Sequence, residues 1–274
     1  MNITNIRENF SYISYCGISL SPQEATMIEN SLIILKSNNK FTETYLWGRI
    51  NGVKCDYYIA FGYHKNCLSG CKYFYSINCP GEWILMPEPV PDNNRLCLLN
   101  QNLFQGDVTA VEDIVMIRNC SDDIPKESFK LKEEDRLAST VRMIMSECAV
   151  VPRGALTLRP DGVITFSSFF QGLDHMEAND MGNYQLLRQP KATCAENLIK
   201  RPDYNYSTDT FDTIDSILPE GKSFTVNIDG DSGLSVVKSL YWPGMVFFHK
   251  PMTNAHGFCY VGNGLRNHDL LFML

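Results

Sequence analysis

Between Tyr45 and Gly62 the chain reads Tyr-Leu-Trp-Gly-Arg-Ile-Asn-Gly-Val-Lys-Cys-Asp-Tyr-Tyr-Ile-Ala-Phe-Gly. Two runs rich in aromatic and β-branched residues flank Asn51-Gly52. Asn-Gly suits a type I′ turn, whose two central residues need positive φ, so the stretch predicts a tight β-hairpin. Val53, Cys55, Tyr57, Ile59 and Phe61 alternate with more polar neighbours, which gives the second strand one apolar face. On the first strand strict alternation puts Tyr45, Trp47 and Arg49 on one face, opposite Leu46 and Ile50.

Helix signals are fewer. Ser21-Pro22-Gln23-Glu24 has the form of a capping box with proline at the first helical position. Met27, Ile28, Leu32 and Leu35 follow at helical spacing, and Ser37-Asn38-Asn39 marks the stop. A second helix is expected from Glu133 to Cys148, its stripe Leu137, Val141, Ile144, Met145 and Cys148, with three leading acids at the positive end of the dipole. A third is expected from Asp174 to about Arg188, ended by Pro190. Strands are read at Lys72–Asn78, Trp83–Met86, Ser223–Ile228, Leu234–Leu240, Met245–His249 and Phe258–Gly262. Pro87, Pro89 and Pro91 open an expected irregular region over about 87–128. Residues 1–20 show little periodicity and read as an extended or mobile arm. The reading is an α+β fold: a mostly antiparallel sheet built from hairpins with about three helices packed on it, forming one domain over 21–274.

Composition narrows the class. The 274 residues are 44% hydrophobic and 20% charged, as in an ordinary globular chain. No run of about 18 apolar residues suggests a membrane span, and the first residues lack the apolar core of a secretory leader. The ten cysteines are dispersed and read as reduced thiols acting as small hydrophobes. A net charge of −7 argues against a broad nucleic-acid footprint. Residues 107–135 hold nine acids against four bases and read as a solvated connection, with contact to a basic surface as the alternative.

The hairpin is one of several blocks that occur in the same order in a known family. The others are Tyr75-Ser76-Ile77-Asn78-Cys79 with Trp83 and Leu85, Glu133-Glu134-Asp135-Arg136-Leu137, Pro152-Arg153-Gly154-Ala155-Leu156, Leu240-Tyr241-Trp242-Pro243-Gly244, Tyr260-Val261-Gly262-Asn263-Gly264, and Asn267, Asp269, Leu270 and Phe272-Met273-Leu274. From about Ser21 onward the chain resembles the radial spoke head protein 9 family of the ciliary and flagellar axoneme. Segments 87–125 and 190–215 match it poorly. The resemblance implies a structural, non-enzymatic subunit without cofactor or metal. It also implies docking with radial spoke head proteins 4 and 6, near radial spoke head protein 1, in the spoke head that relays signals between the central pair and dynein on the doublets.

Candidate chemistry is weak beside this. Gly230-Asp231-Ser232-Gly233 copies the residues around a chymotrypsin-like nucleophile, and His64 lies upstream. Yet a nucleophilic serine needs a positioned histidine and carboxylate, and the segment sits between two strand runs where Gly and Asp are turn formers. As a calcium loop it fails, because positions six and twelve from Asp229 are Leu234 and Leu240 rather than Gly and Glu. His64, Cys67, Cys71 and Cys79 offer one zinc knuckle without a second. His249 and His256 flank a turn and read as satisfied or surface imidazoles.

Binding features remain. Trp47, Tyr57 and Trp242 are aromatics in or beside strands, suited to the core or to an interface. Arg49 stands among aromatics and suits a cation–π or bidentate contact. Leu270, Leu271, Phe272, Met273 and Leu274 must be buried in the fold or against a neighbour. These nine residues are the candidate partner interface. A stand-alone cytosolic adaptor, and a hydrolase using Ser232 or a cysteine, are the competing classes.

Overall fold

A computed structural model describes residues 1–2, 6–78, 80–116, 127–191, 202–230 and 233–273. The capping box forms as its sequence requires. Ser21 Oγ accepts from the Glu24 amide at 3.2 Å, and Glu24 Oε2 accepts from the Ser21 amide at 2.8 Å. Two otherwise orphan donors are thereby satisfied. Helix α2 (Pro22–Asn39) follows and ends with Lys40 in the left-handed region. It buries Ile28, Leu32 and Leu35, each worth about 1.5–3 kcal/mol of apolar burial.

The first twenty residues depart from the expected arm. Residues Ile6–Ile13 form a helix, α1, that buries Ile6, Phe10 and Ile13. Those apolar residues recur at i, i+4 and i+7, a helical stripe too short to be recognised without a surface to pack on. At Met1 the backbone joins the sheet: its amine donates to Leu46 O at 2.6 Å and to Phe258 O at 3.2 Å.

Eight strands make the central sheet: β1 (Glu43–Ile50), β2 (Tyr57–Tyr63), β3 (Lys72–Ile77), β4 (Ile84–Leu85), β11 (Phe224–Ile228), β12 (Ser235–Ser239), β13 (Met245–His249) and β14 (His256–Gly262). Their order is β11-β12-β13-β14-β1-β2-β3-β4. Every pairing is antiparallel except β1 with β14, which runs parallel through Gly48↔Tyr260, Arg49↔Val261 and Ile50↔Gly262. The α+β reading therefore holds.

The hairpin of β1 and β2 forms, though not through a two-residue turn. Six residues, 51–56, separate the strands. Backbone amides of Val53 and Lys54 instead donate to Phe104 O and Gln105 O, and Val53 is exposed. A tertiary partner for the loop outcompetes the local turn preference. A bulge adds a further departure: Leu46 pairs with Ala60 and Gly48 with Ile59, leaving Trp47 as the extra residue. The bulge reverses the alternation beyond it. Ile50 consequently joins Trp47 in one core, while Arg49 lies beside Leu46 and Tyr58 on the other face. Gly48 makes this possible, since a Cβ there would stand 2.0 Å from Tyr260 O.

Both faces of the sheet are covered. On one, α1 and α2 pack over Leu46, Tyr58, Ala60, Phe74, Val236 and Phe248. On the other lie α3 (Pro91–Leu99), α4 (Glu133–Cys148) and three two-stranded pairs. These are β5 (Val111–Met116) with β6 (Glu127–Lys132), β7 (Val150–Pro152) with β10 (Tyr184–Leu186), and β8 (Leu156–Leu158) with β9 (Ile164–Phe166). The expected irregular region thus contains α3 and β5. Pro91, read as a breaker, occupies the first turn of α3, where its missing N–H costs nothing.

The helix expected over 174–188 is absent. Residues Glu177–Asn179 and Met181–Asn183 form single 3₁₀ turns and the chain then enters β10. Asp180 accepts from the Gly182 amide and Asn183 Nδ2 donates to Glu177 O. Short polar side chains of this kind satisfy the backbone locally and compete with the helix.

Candidate interaction surface

Cys67 and Cys71, the described thiols of the candidate zinc knuckle, are buried. Burial pushes the Cys67 and Cys71 thiols up to about 12 and about 11, far from a reactive thiolate. Cys71 Sγ donates to Cys67 O at 3.2 Å. His64 contacts Lys40 O through Nδ1 and the Phe41 ring at 5.0 Å. Among the described residues no three His, Cys, Asp or Glu side chains gather where a metal would sit. Cys79, Asp231 and Ser232 lie outside the described residues.

Eight of the nine candidate interface residues are described, and they separate into three groups. Trp47, Tyr57, Trp242 and Leu270 are buried within the chain itself and pack in its own core. Trp47 packs against Tyr260 and Phe258 with ring centroids at 5.2 and 6.2 Å. Tyr57 Oη donates to Glu133 Oε1 at 2.6 Å, and burial pushes its hydroxyl well above the usual phenol range. Trp242 Nε1 donates to Glu147 Oε2 at 2.8 Å, and Arg266 Nε reaches the same oxygen at 3.1 Å. Strand aromatics look alike in sequence whether they face a partner or the chain's own second layer. Here α4 supplies that layer.

Arg49 is half-buried. Its Nε lies 3.7 Å from Asp56 Oδ2 and its guanidinium carbon 6.0 Å from the Tyr58 ring centroid. Leu271, Phe272 and Met273 form the third group. They occupy the single turn α5 (Leu270–Met273) and are 66%, 89% and 71% exposed. Asn267 holds that turn to the sheet: its amide donates to Tyr241 O at 2.7 Å, Nδ2 donates to Leu240 O, and Oδ1 accepts from the Asp269 amide. The turn is thus anchored by buried Leu270 while three large apolar side chains face water. Leu274 lies outside the described residues.

β11 is an edge strand of the central sheet, and among the described residues no strand pairs with its outer side. Leu240 N–H donates to Ser223 O and Asp229 N–H to Leu234 O. Antiparallel alternation between these bonds turns the backbone groups of Phe224, Val226 and Ile228 away from β12. Such an edge can accept another strand. Exposed Phe169, Met176 and Met252 escaped the sequence reading because each is a single apolar residue in a loop, with no periodicity around it.

The family described as radial spokehead-like protein matches residues 1–66. The radial spoke head protein 9 homologue of Bos taurus is 34% identical over 262 residues, 94% of each chain. That of Homo sapiens is 32% identical over 278 residues, the whole of both. The chain belongs to the radial spoke head protein 9 family. The Danio rerio homologue is 34% identical over 264 residues, again 94% of each chain. Similarity of the radial spoke head type extends into the first twenty residues, which the sequence reading left outside the match and which contain α1. This family is a structural one of the ciliary and flagellar axoneme. The blocks that carry the resemblance have physical roles in this fold: the Trp47–Gly48 bulge, the Glu133 helix start, the Arg153 clamp described below, and the Asn267 anchor.

Proposed function

We propose that the chain is a structural, non-enzymatic subunit of the radial spoke head in motile cilia and flagella. In this reading it supports assembly of the spoke head and the relay between central pair and doublet microtubules that regulates dynein-driven beating. Its partners are counterparts of radial spoke head proteins 4 and 6, with radial spoke head protein 1 nearby and the central pair apparatus engaged indirectly. The observation that carries the reading is similarity along the whole chain, 32% over 278 residues with the human protein. The open β11 edge and the exposed apolar turn α5 favour a subunit over a free-standing adaptor, because such features are aggregation-prone when left unpartnered.

The test is removal of the chain from motile ciliated cells followed by tomography of their axonemes. The expected result is spokes lacking heads and an altered waveform, both restored by the full chain. Intact spoke heads in its absence would contradict the proposal.

A further inference from the structure

The two edges of the central sheet differ. Strand β4 is two residues long, and Pro87 and Pro89 follow it closely, so that edge offers little backbone to a further strand. Strand β11 spans five residues, and residues 223–228 contain neither proline nor charge. Its outer side carries the backbone groups of Phe224, Val226 and Ile228, and among the described residues no strand pairs with them.

The two faces of β11 are unlike. Phe224, Val226 and Ile228 share one: Phe224 is buried in the core that holds Trp47, and Val226 packs against that core partly buried. Thr225, Asn227 and Asp229 share the other. There a groove of about 350 Å³ runs between Thr225, Lys238 and Val246 on the sheet and Gly17 and Ile18 in the connection after α1. Lys238 is the one charged side chain among the groove's described walls. It forms no ion pair among the described residues, and it stands directly beside Thr225 in the register of β11 with β12. Asp229 lies on the same side of the sheet. The hydroxyl of Tyr15, just after α1, is pushed up to about 12, chiefly by burial, and Asp229 adds a smaller electrostatic push.

We propose that β11 pairs antiparallel with β11 of a second copy of this chain, about a two-fold axis at Asn227. In that register Val226 of each copy lies opposite Ile228 of the other, and each pair exchanges both backbone hydrogen bonds. The apolar faces then meet as cross-strand pairs and continue the core across the seam. On the groove side Asp229 of the second copy lies opposite Thr225. It is two strand spacings, roughly 10 Å, from Lys238, within the combined reach of the two side chains. Charge selects this register: with Val226 on the axis instead, Asn227 would stand opposite Thr225 and Lys238 would meet no carboxylate. The axis makes each contact twice and closes the assembly at two copies. The inference goes beyond the spoke-head reading, which stands whichever way the test falls.

The test uses the purified full chain. Sedimentation equilibrium should show a dimer. Under mild oxidation Asn227→Cys, an exposed position, should give a disulfide-linked dimer, because the axis brings its two copies to about 4.5 Å between Cα atoms. Thr225→Cys is the control, since the register holds its two copies roughly 14 Å apart, too far for the bond. Lys238→Glu should weaken the dimer by about tenfold or more, and Lys238→Arg should leave it intact. A monomer, or a Thr225→Cys adduct as abundant as that of Asn227→Cys, would overturn the pairing. So would a dimer that Lys238→Glu weakens by less than about tenfold, or one that glutamate and arginine weaken equally.

Discussion

Tyr57 donates its hydroxyl proton to Glu133 across 2.6 Å, tying the middle of the sheet to the first residue of α4. The same carboxylate accepts from the backbone amides of Gln105, Gly106 and Asp107 at 2.8, 2.8 and 3.2 Å. One buried carboxylate thus organises strand β2, the 105–107 loop and the helix start. Its charge also complements the dipole of α4.

Tyr57→Phe removes one charge-assisted bond and should cost about 1.5–3 kcal/mol. Glu133→Ala strands four donors and should cost more, at least about 3 kcal/mol. Urea denaturation of both variants checks the order. Equal midpoints for Glu133→Ala and the unaltered chain would refute the role assigned to Glu133.

A second clamp lies at Arg153. Its Nε and Nη2 donate to the two carboxylate oxygens of Asp209 at 2.6 and 2.8 Å, and Nη1 pairs with Asp203. Asp209 is wholly buried. Arg153→Ala leaves that carboxylate uncompensated and should destabilise by about 3–5 kcal/mol. Arg153→Lys should recover little, because a point charge cannot reproduce the fork. Thermal denaturation of the pair measures this; full recovery by lysine would exclude the bidentate geometry as the source.

Part of the acid sensitivity should come from His249, with the neighbouring His256, which burial also lowers to about 4, contributing over the same range. Its Nδ1 donates to Ala255 O at 3.1 Å and its Nε2 accepts from Leu173 N–H at 3.0 Å, so the buried ring is satisfied only when neutral. Burial lowers its pKa from 6.5 to about 4. In the unfolded chain the ring takes up a proton near pH 6.5, whereas the folded chain resists until about pH 4. The stabilisation is complete above about pH 6.5 and is lost as pH falls toward 4, to a total of about 3 kcal/mol. Denaturation between pH 7 and 4 should show this slope, flattened in His249→Gln. An identical slope in that variant would assign the effect elsewhere.

Turn α5 separates stability from assembly. Leu271, Phe272 and Met273 are exposed, so replacing all three with serine should change folding stability by no more than about 0.5 kcal/mol per site. Incorporation of that variant into spokes should nevertheless fall. Removing residues 270–274 should do so too, with an added loss of stability from Leu270, which is only 3% exposed. Undiminished incorporation of the serine variant would remove α5 from the interface.

Much of the fold could be read from residues whose signal is local. Ser21 and Glu24 announced α2, the acids and apolar stripe of residues 133–148 announced α4, and the C-terminal strands were visible in their alternation. Features set by distant partners were hidden. Nothing near Asn51-Gly52 signals that Phe104 will capture the loop, and Gly48, though a residue type that marks bulges in strands, does not say that the close approach is to Tyr260. The same limit governed the interface. Trp47, Tyr57 and Trp242 were chosen for their chemistry, but only the arrival of α4 and β14 decides that they face inward.

The most direct test of the central claim is fractionation of the tagged chain from motile ciliated cells, with detergent followed by rising salt. The account predicts retention with the axoneme through detergent and release together with other spoke-head proteins. Recovery in the detergent-soluble fraction, free of those proteins, would contradict it.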